Sequence, residues 1–280
     1  MSDAIGKRVC YIEIETKNVM KQIKDIAIKF NVKRKMGAVQ AEADISIANL
    51  AKEDIAYLVA INPFDEQNEK HKNKIRLYAG YEDTGYGLIF SGDIWTALPT
   101  GKPDTWLNIK ARSNFYNNLK IVNINITSPT STKQLALNIA SQLSLPLVWQ
   151  STSQKMINTF NYVGSLTKII NKYNKLDNFT MFCDNQSLIV KDKRDTQRGI
   201  AIEVNARSGM IGQPEPNCFG VKVKTLLNPT FNCGDWINLK SELIPFCDGL
   251  YQIYSMEFQG ESRGTPFYCT LDCKNYSVAI

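Results

Sequence analysis

The stretch "KDIAIKFNVK", residues 24–33, alternates apolar and polar side chains. Ile26, Ile28, Phe30 and Val32 fall on one face, and Lys29 and Lys33 on the other. A period of two cannot be carried by a helix, so the segment requires a strand with one buried face. The pattern recurs in "RVCYIEIE" (8–15), "ADISIANL" (43–50), "NKIRLYAGY" (73–81), "GLIFSGDIWTAL" (87–98) and "DTWLNIKAR" (104–112). Turns containing Gly or Pro separate most of these runs. One helix interrupts them, "LAKEDIAYLVAI", with Asn49 as its expected N-cap and Glu53 and Asp54 at the positive end of its dipole. Such a strand-rich run with a single helix implies a small β-barrel or sandwich.

The period then changes. Ser131 and Gln134 form a capping box ahead of Leu135, Ile139 and Leu143, a helix that must end before Pro146. A second helix starts near Ser165, with Leu166, Ile169, Ile170 and Tyr173 on one face. "LVWQ", "FTMFCD" and "SLIVKDK" supply short strands, so this part is a compact mixed α/β unit. From Ile200 the alternation returns in "IAIEVN", "GVKVKTLL", "DWINLKS", "GLYQIYSMEF" and "TPFYCTLDCKNY". The last segment is too small to bury two faces alone and is expected to pack on the first or on a partner. Within it, "VKVKTLLNPTFNCGDWINL" reads as strand, turn, strand.

The residues offer little chemistry. The seven cysteines are odd in number, and none forms a C-x-x-C pair. Cys269 and Cys273 share a strand face roughly 13 Å apart, too far to hold one ion. Free thiols and no metal site are expected. The one histidine, His71, sits in the charged run "DEQNEKHKNK", a poor member for a triad. "TGK" at 100–102 fails as a phosphate loop, since Thr96 stands where the first Gly is needed and Pro103 where Ser or Thr is needed. Asp65 and Glu66 have no glycosidase spacing. No catalytic, cofactor-binding or metal-binding residue is assigned. No apolar run approaches the roughly 20 residues that span a bilayer, and the N-terminus lacks the apolar core of a signal peptide. Folding in a reducing cytoplasm and no membrane insertion are therefore expected. The net charge of +6 is concentrated near the N-terminus, where residues 17–35 hold seven Lys/Arg against one acid. That excess fits nucleic acid, an acidic protein surface, or a solvated strand edge.

Taken in chain order, four stretches resemble the baseplate hub proteins of contractile-tailed bacteriophages. They are "AEADISIANLAKEDIAYL", "IRLYAGYEDTGYGLIFSGDI", "FNYVGSLTKIINKYNKLDNFTMFCDNQSLIVKD" and "SGMIGQPEPNCFGVKVKTLLNPTFNCGDWINLKS". The resemblance implies a mainly β fold with an α/β insert. Two tail-tube-like β-barrel or sandwich domains, residues 1–125 and 198–280, would flank a small α/β domain at 126–197, with the C-terminal barrel packing on the first. It further implies a homotrimer whose paired barrels make a pseudo-sixfold ring between the tail tube protein and the central spike protein, touching other baseplate proteins. DNA would pass through the lumen during injection without specific binding. The chain would reside in the virion tail baseplate after assembly in the host cytoplasm, with no enzymatic activity and no cofactor. The basic segment 17–35 is expected to touch protein rather than DNA.

Two other classes compete. A tail-associated peptidoglycan hydrolase would need paired carboxylates or a His/Cys constellation, whereas residues 128–195 offer only Asp177, Asp184, Asp192 and Asp195 as acids and no histidine. A basic nucleic-acid-binding accessory protein would bind duplex DNA with a steep salt dependence.

Overall fold

The computed structural model describes residues 6–16, 19–36, 40–59, 73–101, 105–192 and 201–275. The N-terminal segment contains β1 (Arg8–Thr16), β2 (Val19–Ile23), β3 (Ile28–Lys35), β4 (Glu42–Ala48), α1 (Lys52–Val59), β5 (Lys74–Tyr81), β6 (Gly85–Pro99) and β7 (Trp106–Arg112). The middle contains α2 (Phe115–Leu119), β8 (Ile121–Ile126), β9 (Thr130–Ser131), α3 (Thr132–Leu143), β10 (Leu147–Gln150), β11 (Met156–Ile157), β12 (Phe160–Ser165), α4 (Leu166–Tyr173), β13 (Phe179–Asp184) and β14 (Ser187–Asp192). The C-terminal segment contains β15 (Ile202–Val204), β16 (Glu215–Asn217), β17 (Gly220–Leu226), β18 (Trp236–Leu239), a 3-10 turn at Pro245–Cys247, β19 (Gly249–Glu261) and β20 (Phe267–Lys274). The fold is mainly β.

The two outer segments share one 13-stranded sheet, with the order β16-β17-β20-β19-β3-β4-β7-β6-β5-β1-β2 and with β15 and β18 branching from β19. The junction is possible because β19 is 13 residues long. Its first four residues pair with β18, and after a bulge at Ile253/Ser255 its remainder pairs antiparallel with β3. Phe30 stands opposite Gly260 there, and a side chain at Gly260 would run into the Phe30 ring at 2.2 Å. The glycine lets the two segments meet edge to edge.

Alternation in the sequence becomes alternation of burial. Ile28, Phe30 and Val32 are buried, whereas Lys29, Lys33 and Lys35 are exposed. One apolar core runs through both outer segments, and a second fills the middle from Val122 to Val190. In the second, Leu135, Ile139 and Leu143 of α3 are fully buried, each contributing about 1.5–3 kcal/mol. Ser131 is the N-cap of α3: its Oγ accepts from the Gln134 N–H at 3.1 Å.

Strands β13 and β14 belong to both cores. Met181, Cys183, Leu188 and Val190 face the helices, while Phe182 and Ile189 join the core of the large sheet. Because the second face lies against the sheet rather than water, the strands read as nearly continuous apolar runs.

One expectation needs correction. α1 begins at Lys52, so Ala51 and not Asn49 precedes its first residue, and Asn49, at φ 53°, turns the chain before the helix instead of capping it. The stretch 220–239 forms the expected strand, turned connection and strand, but its two strands are not neighbours in the sheet. β17 pairs with β16 and β20, and β18 pairs with β15 and β19, so residues 227–235 carry the chain past two intervening strands. Pro229 and Gly234 serve this crossing rather than a hairpin turn.

Candidate assembly interface

Much of the basic N-terminal segment is turned onto the protein itself. Lys21 pairs with Asp54, Lys29 with Glu261 at 3.2 Å and Lys33 with Glu257 at 3.7 Å. Lys35 Nζ lies 5.2 Å from the centroid of the Tyr254 ring. The last two ion pairs cross the β3–β19 junction, so the local charge excess is answered by carboxylates more than 220 residues away.

Arg34 is different from its neighbours. It is 3% exposed and donates from Nη2 to Asp184 Oδ2 and, at 3.1 Å, to Asn232 Oδ1. One guanidinium therefore ties β3 to the α/β unit and to the C-terminal segment. Burial pulls its pKa down, but the Asp184 carboxylate outweighs that and holds it above the ordinary arginine value. Arg34 is not part of a solvated basic surface.

Nearby, Lys191 of β14 is fully buried and donates from Nζ to the Gly234 carbonyl at 2.6 Å, which also accepts from Gln252 Nε2 at 3.1 Å. Gly234 has φ 85°, and a Cβ there would lie 1.8 Å from the Lys191 nitrogen. The α/β unit is thus anchored by two buried cations, one from each side of the contact. Sequence reasoning did not single out Lys191. Its burial follows from the second covered face of β14.

The three described acids of the α/β unit are each committed to local structure. Asp184 holds Arg34. Asp192 accepts from Ser151 Oγ, from the Thr152 N–H at 2.8 Å and from Thr152 Oγ1 at 2.6 Å. Burial raises its pKa, but these bonds outweigh it and hold the carboxyl below the usual value. Asp177 accepts from Ser153 Oγ at 2.5 Å. Asp177 and Asp192 are neighbours that share the 151–153 segment, each bonded to its hydroxyls, whereas Asp184 is bonded to Arg34. His71, Asp65, Glu66, Pro103 and Asp195 lie outside the described residues. Among the described residues no group of His, Cys, Asp and Glu could hold a metal ion, and no helix is long and apolar enough to cross a membrane.

What the surface offers is contact area. The β8–β12 ribbon exposes Ile121 and Val163, 75% and 68% exposed, beside Leu119. The loop between β18 and β19 exposes Leu243 and Phe246, with Leu250 just beyond. That loop is fixed in shape. The Ser241 N–H donates to Asp248 Oδ1 at 2.7 Å, the Ile244 N–H to Ser241 Oγ at 3.1 Å, and the Tyr251 hydroxyl to the Cys247 carbonyl at 2.9 Å. Large apolar side chains on a rigid loop are features of contact sites. Tyr11 stacks on Tyr78 at 4.7 Å and meets Tyr86 edge-on at 6.2 Å on the outer face of β1, β5 and β6. A cavity of about 480 Å³ between the large sheet and the α/β unit is of mixed character, lined by Lys74, Asp93, Asn114 and Lys120 and by Leu143 and Leu145 among others.

The remaining face of the large sheet is polar over its central strands. Exposed or half-exposed polar residues alternate there with the core residues of β17, β20, β19, β3, β4 and β7.

Solved structures place this architecture among tail proteins. The 43 kDa tail protein of prophage MuSo2 from Shewanella oneidensis aligns with a TM-score of 0.65 over 95% of this chain and 96% of its own, at 9% identity. A tail protein from Neisseria meningitidis MC58 gives 0.68 over 96% and 97%, at 7% identity. A component of the E. coli type VI secretion system, described as similar to the T4 bacteriophage tail proteins gp27 and gp5, gives 0.58 over 90% and 74%, at 11% identity. At such identities the likeness is one of fold, the fold of these tail proteins. No curated protein sequence matches the chain. The family model described as "Baseplate hub gp41" matches residues 9–273, and the chain belongs to that family. It is a structural protein of the phage tail baseplate and not an enzyme.

Proposed function

We propose that this chain is the ring-forming hub that joins the tail tube to the central spike. Three copies close into a ring. Each contributes two tube-like β units, residues 1–125 and 198–280, with the α/β unit 126–197 braced against them, so that the ring is pseudo-sixfold. The tail tube protein meets one side, the spike protein the other, and further baseplate proteins the periphery. Assembly takes place in the host cytoplasm, and DNA crosses the lumen during ejection.

The observation that carries this reading is the β3–β19 junction. It turns the two outer segments into one sheet with an apolar face inside the chain and a polar face outside. A continuous sheet with one wet face is what a segment of tube wall requires. The two unlike apolar surfaces, around Ile121 and around Phe246, suit head-to-tail contacts, which close rings when the rotation closes.

Antibody-gold labelling of intact virions tests the placement. Label at the tail end distal to the head, and tube-less or baseplate-less particles when the chain is deleted, are the expected results. Label spread along the tail would contradict the hub reading.

A further inference from the structure

On the polar face of the large sheet the charges alternate in register. Glu257 of β19 stands opposite Lys33 of β3, Lys33 opposite Glu42 of β4, and Glu42 opposite Arg112 of β7. Arg112 Nη2 lies 3.0 Å from Glu42 Oε1. The neighbouring rows repeat the arrangement: Glu261 opposite Lys29, Asp44 opposite Lys110, and Asp272 opposite Lys222. Two further lysines of this face, Lys35 and Lys224, lie over the rings of Tyr254 and Tyr268 at 5.2 and 3.5 Å. These cations of β3, β7 and β17 are therefore matched, one strand away, by a carboxylate or an aromatic face on β4, β19 or β20.

We propose that this face is a charge-compensated track along which duplex DNA slides without being held. The proposal rests on the reading of the face as lumen wall. Non-specific DNA affinity comes from cations that neutralise phosphates and release counterions. A lysine already paired with a glutamate offers little of that gain, because the phosphate must displace a carboxylate that stays close by and repels it. Carboxylates within a Debye length of about 8–10 Å oppose every phosphate that approaches. A chain with a net charge of +6 can thus present DNA with a wall that does not grip.

The test is a titration of the full-length chain against a labelled duplex of about 30 base pairs at several salt concentrations. The wild-type chain is expected to bind weakly, with little salt dependence. The triple variant Glu42→Gln, Glu257→Gln, Glu261→Gln keeps side-chain size but frees Arg112, Lys33 and Lys29. Its affinity is expected to rise at least about tenfold at low salt, with a log–log salt slope near −2 to −3. Adding Lys29→Gln and Lys33→Gln should take most of that gain away. Asp44→Asn alone, which removes one carboxylate opposite Lys110, should give a smaller rise. A triple variant that melts like the wild type yet binds DNA no better overturns the proposal, and so does strong, salt-sensitive binding by the wild type. Virions carrying the triple variant separate this idea from the reading beneath it. A gain in affinity with slowed ejection supports both. A gain with unchanged ejection leaves the charge compensation standing and removes the face from the lumen.

Discussion

Arg34 and Asp184 are 150 residues apart in sequence and form a buried ion pair, to which Asn232 adds an acceptor from a third part of the chain. The contact joins the large sheet to the α/β unit where neither charge can be solvated. Removing one partner strands the other in the interior, a change that costs about 3–5 kcal/mol. Asp184→Ala is therefore expected to lower unfolding stability by that amount in a urea titration. Replacing both, Arg34→Met with Asp184→Leu, should recover most of the loss. A single variant as stable as the wild type would show that the pair does not hold the units together.

Gly234 and Lys191 give a steric counterpart. A Cβ at Gly234 would both require an unfavourable positive φ and overlap the lysine nitrogen. Gly234→Ala is expected to cost at least about 2 kcal/mol, from strain together with overpacking. Gly212→Ala has a positive φ but open space around it, so it should cost less. Equal urea midpoints for the two variants would contradict the packing described around Lys191.

Buried thiols set the alkaline limit of stability. Burial pushes Cys183 and Cys233 up to about 12, against an ordinary value of 9.0. Above that ordinary value the unfolded chain loses thiol protons that the folded chain keeps. The native state then binds more protons, so stability falls as pH rises from about 9 toward 12. Each such thiol contributes a slope of about 1.4 kcal/mol per pH unit in that window and nothing below pH 8. Unfolding titrations at pH 8 and pH 10.5 should differ by several kcal/mol. In the native state at pH 8, Cys218 is expected to react with a thiol reagent ahead of the buried five, Cys183, Cys233, Cys247, Cys269 and Cys273.

Gln142 closes a sheet edge by imitation of a strand. Its carboxamide accepts from the Asn123 N–H at 3.0 Å and donates to the Asn123 carbonyl at 2.6 Å. Asn174 does the same for Met181. Gln142→Ala should cost about 1–2 kcal/mol by removing both bonds, and it should speed amide exchange at Asn123. Unchanged exchange there would rule out the edge closure.

Elements with a local cause were legible in the sequence. Ile28, Phe30 and Val32 alternate because one face of β3 is buried, and Ser131 caps α3 through a neighbour three residues on. What depends on distant partners was not legible. Nothing near Lys33 announces Glu257, and although the period of two puts Arg34 on the buried face with Val32, nothing near it announces Asp184. The β3–β19 pairing depends on Gly260, whose reason appears only when Phe30 lies opposite. The same holds for Lys191, where a polar residue at the end of an apolar run is buried by a second layer. Contact surfaces such as Leu243 and Phe246 were missed because exposure is a property of the folded chain.

The measurement that tests the hub account most directly is the copy number of this chain in complex with its spike protein, by light scattering or native mass spectrometry. Pairing two tube-like units per chain into a pseudo-sixfold ring fixes that number at three, a contribution of about 95 kDa from chains of 31.6 kDa. Three copies per complex, stable on addition of tail tube protein, are the expected result. Two, four or six copies would contradict the account.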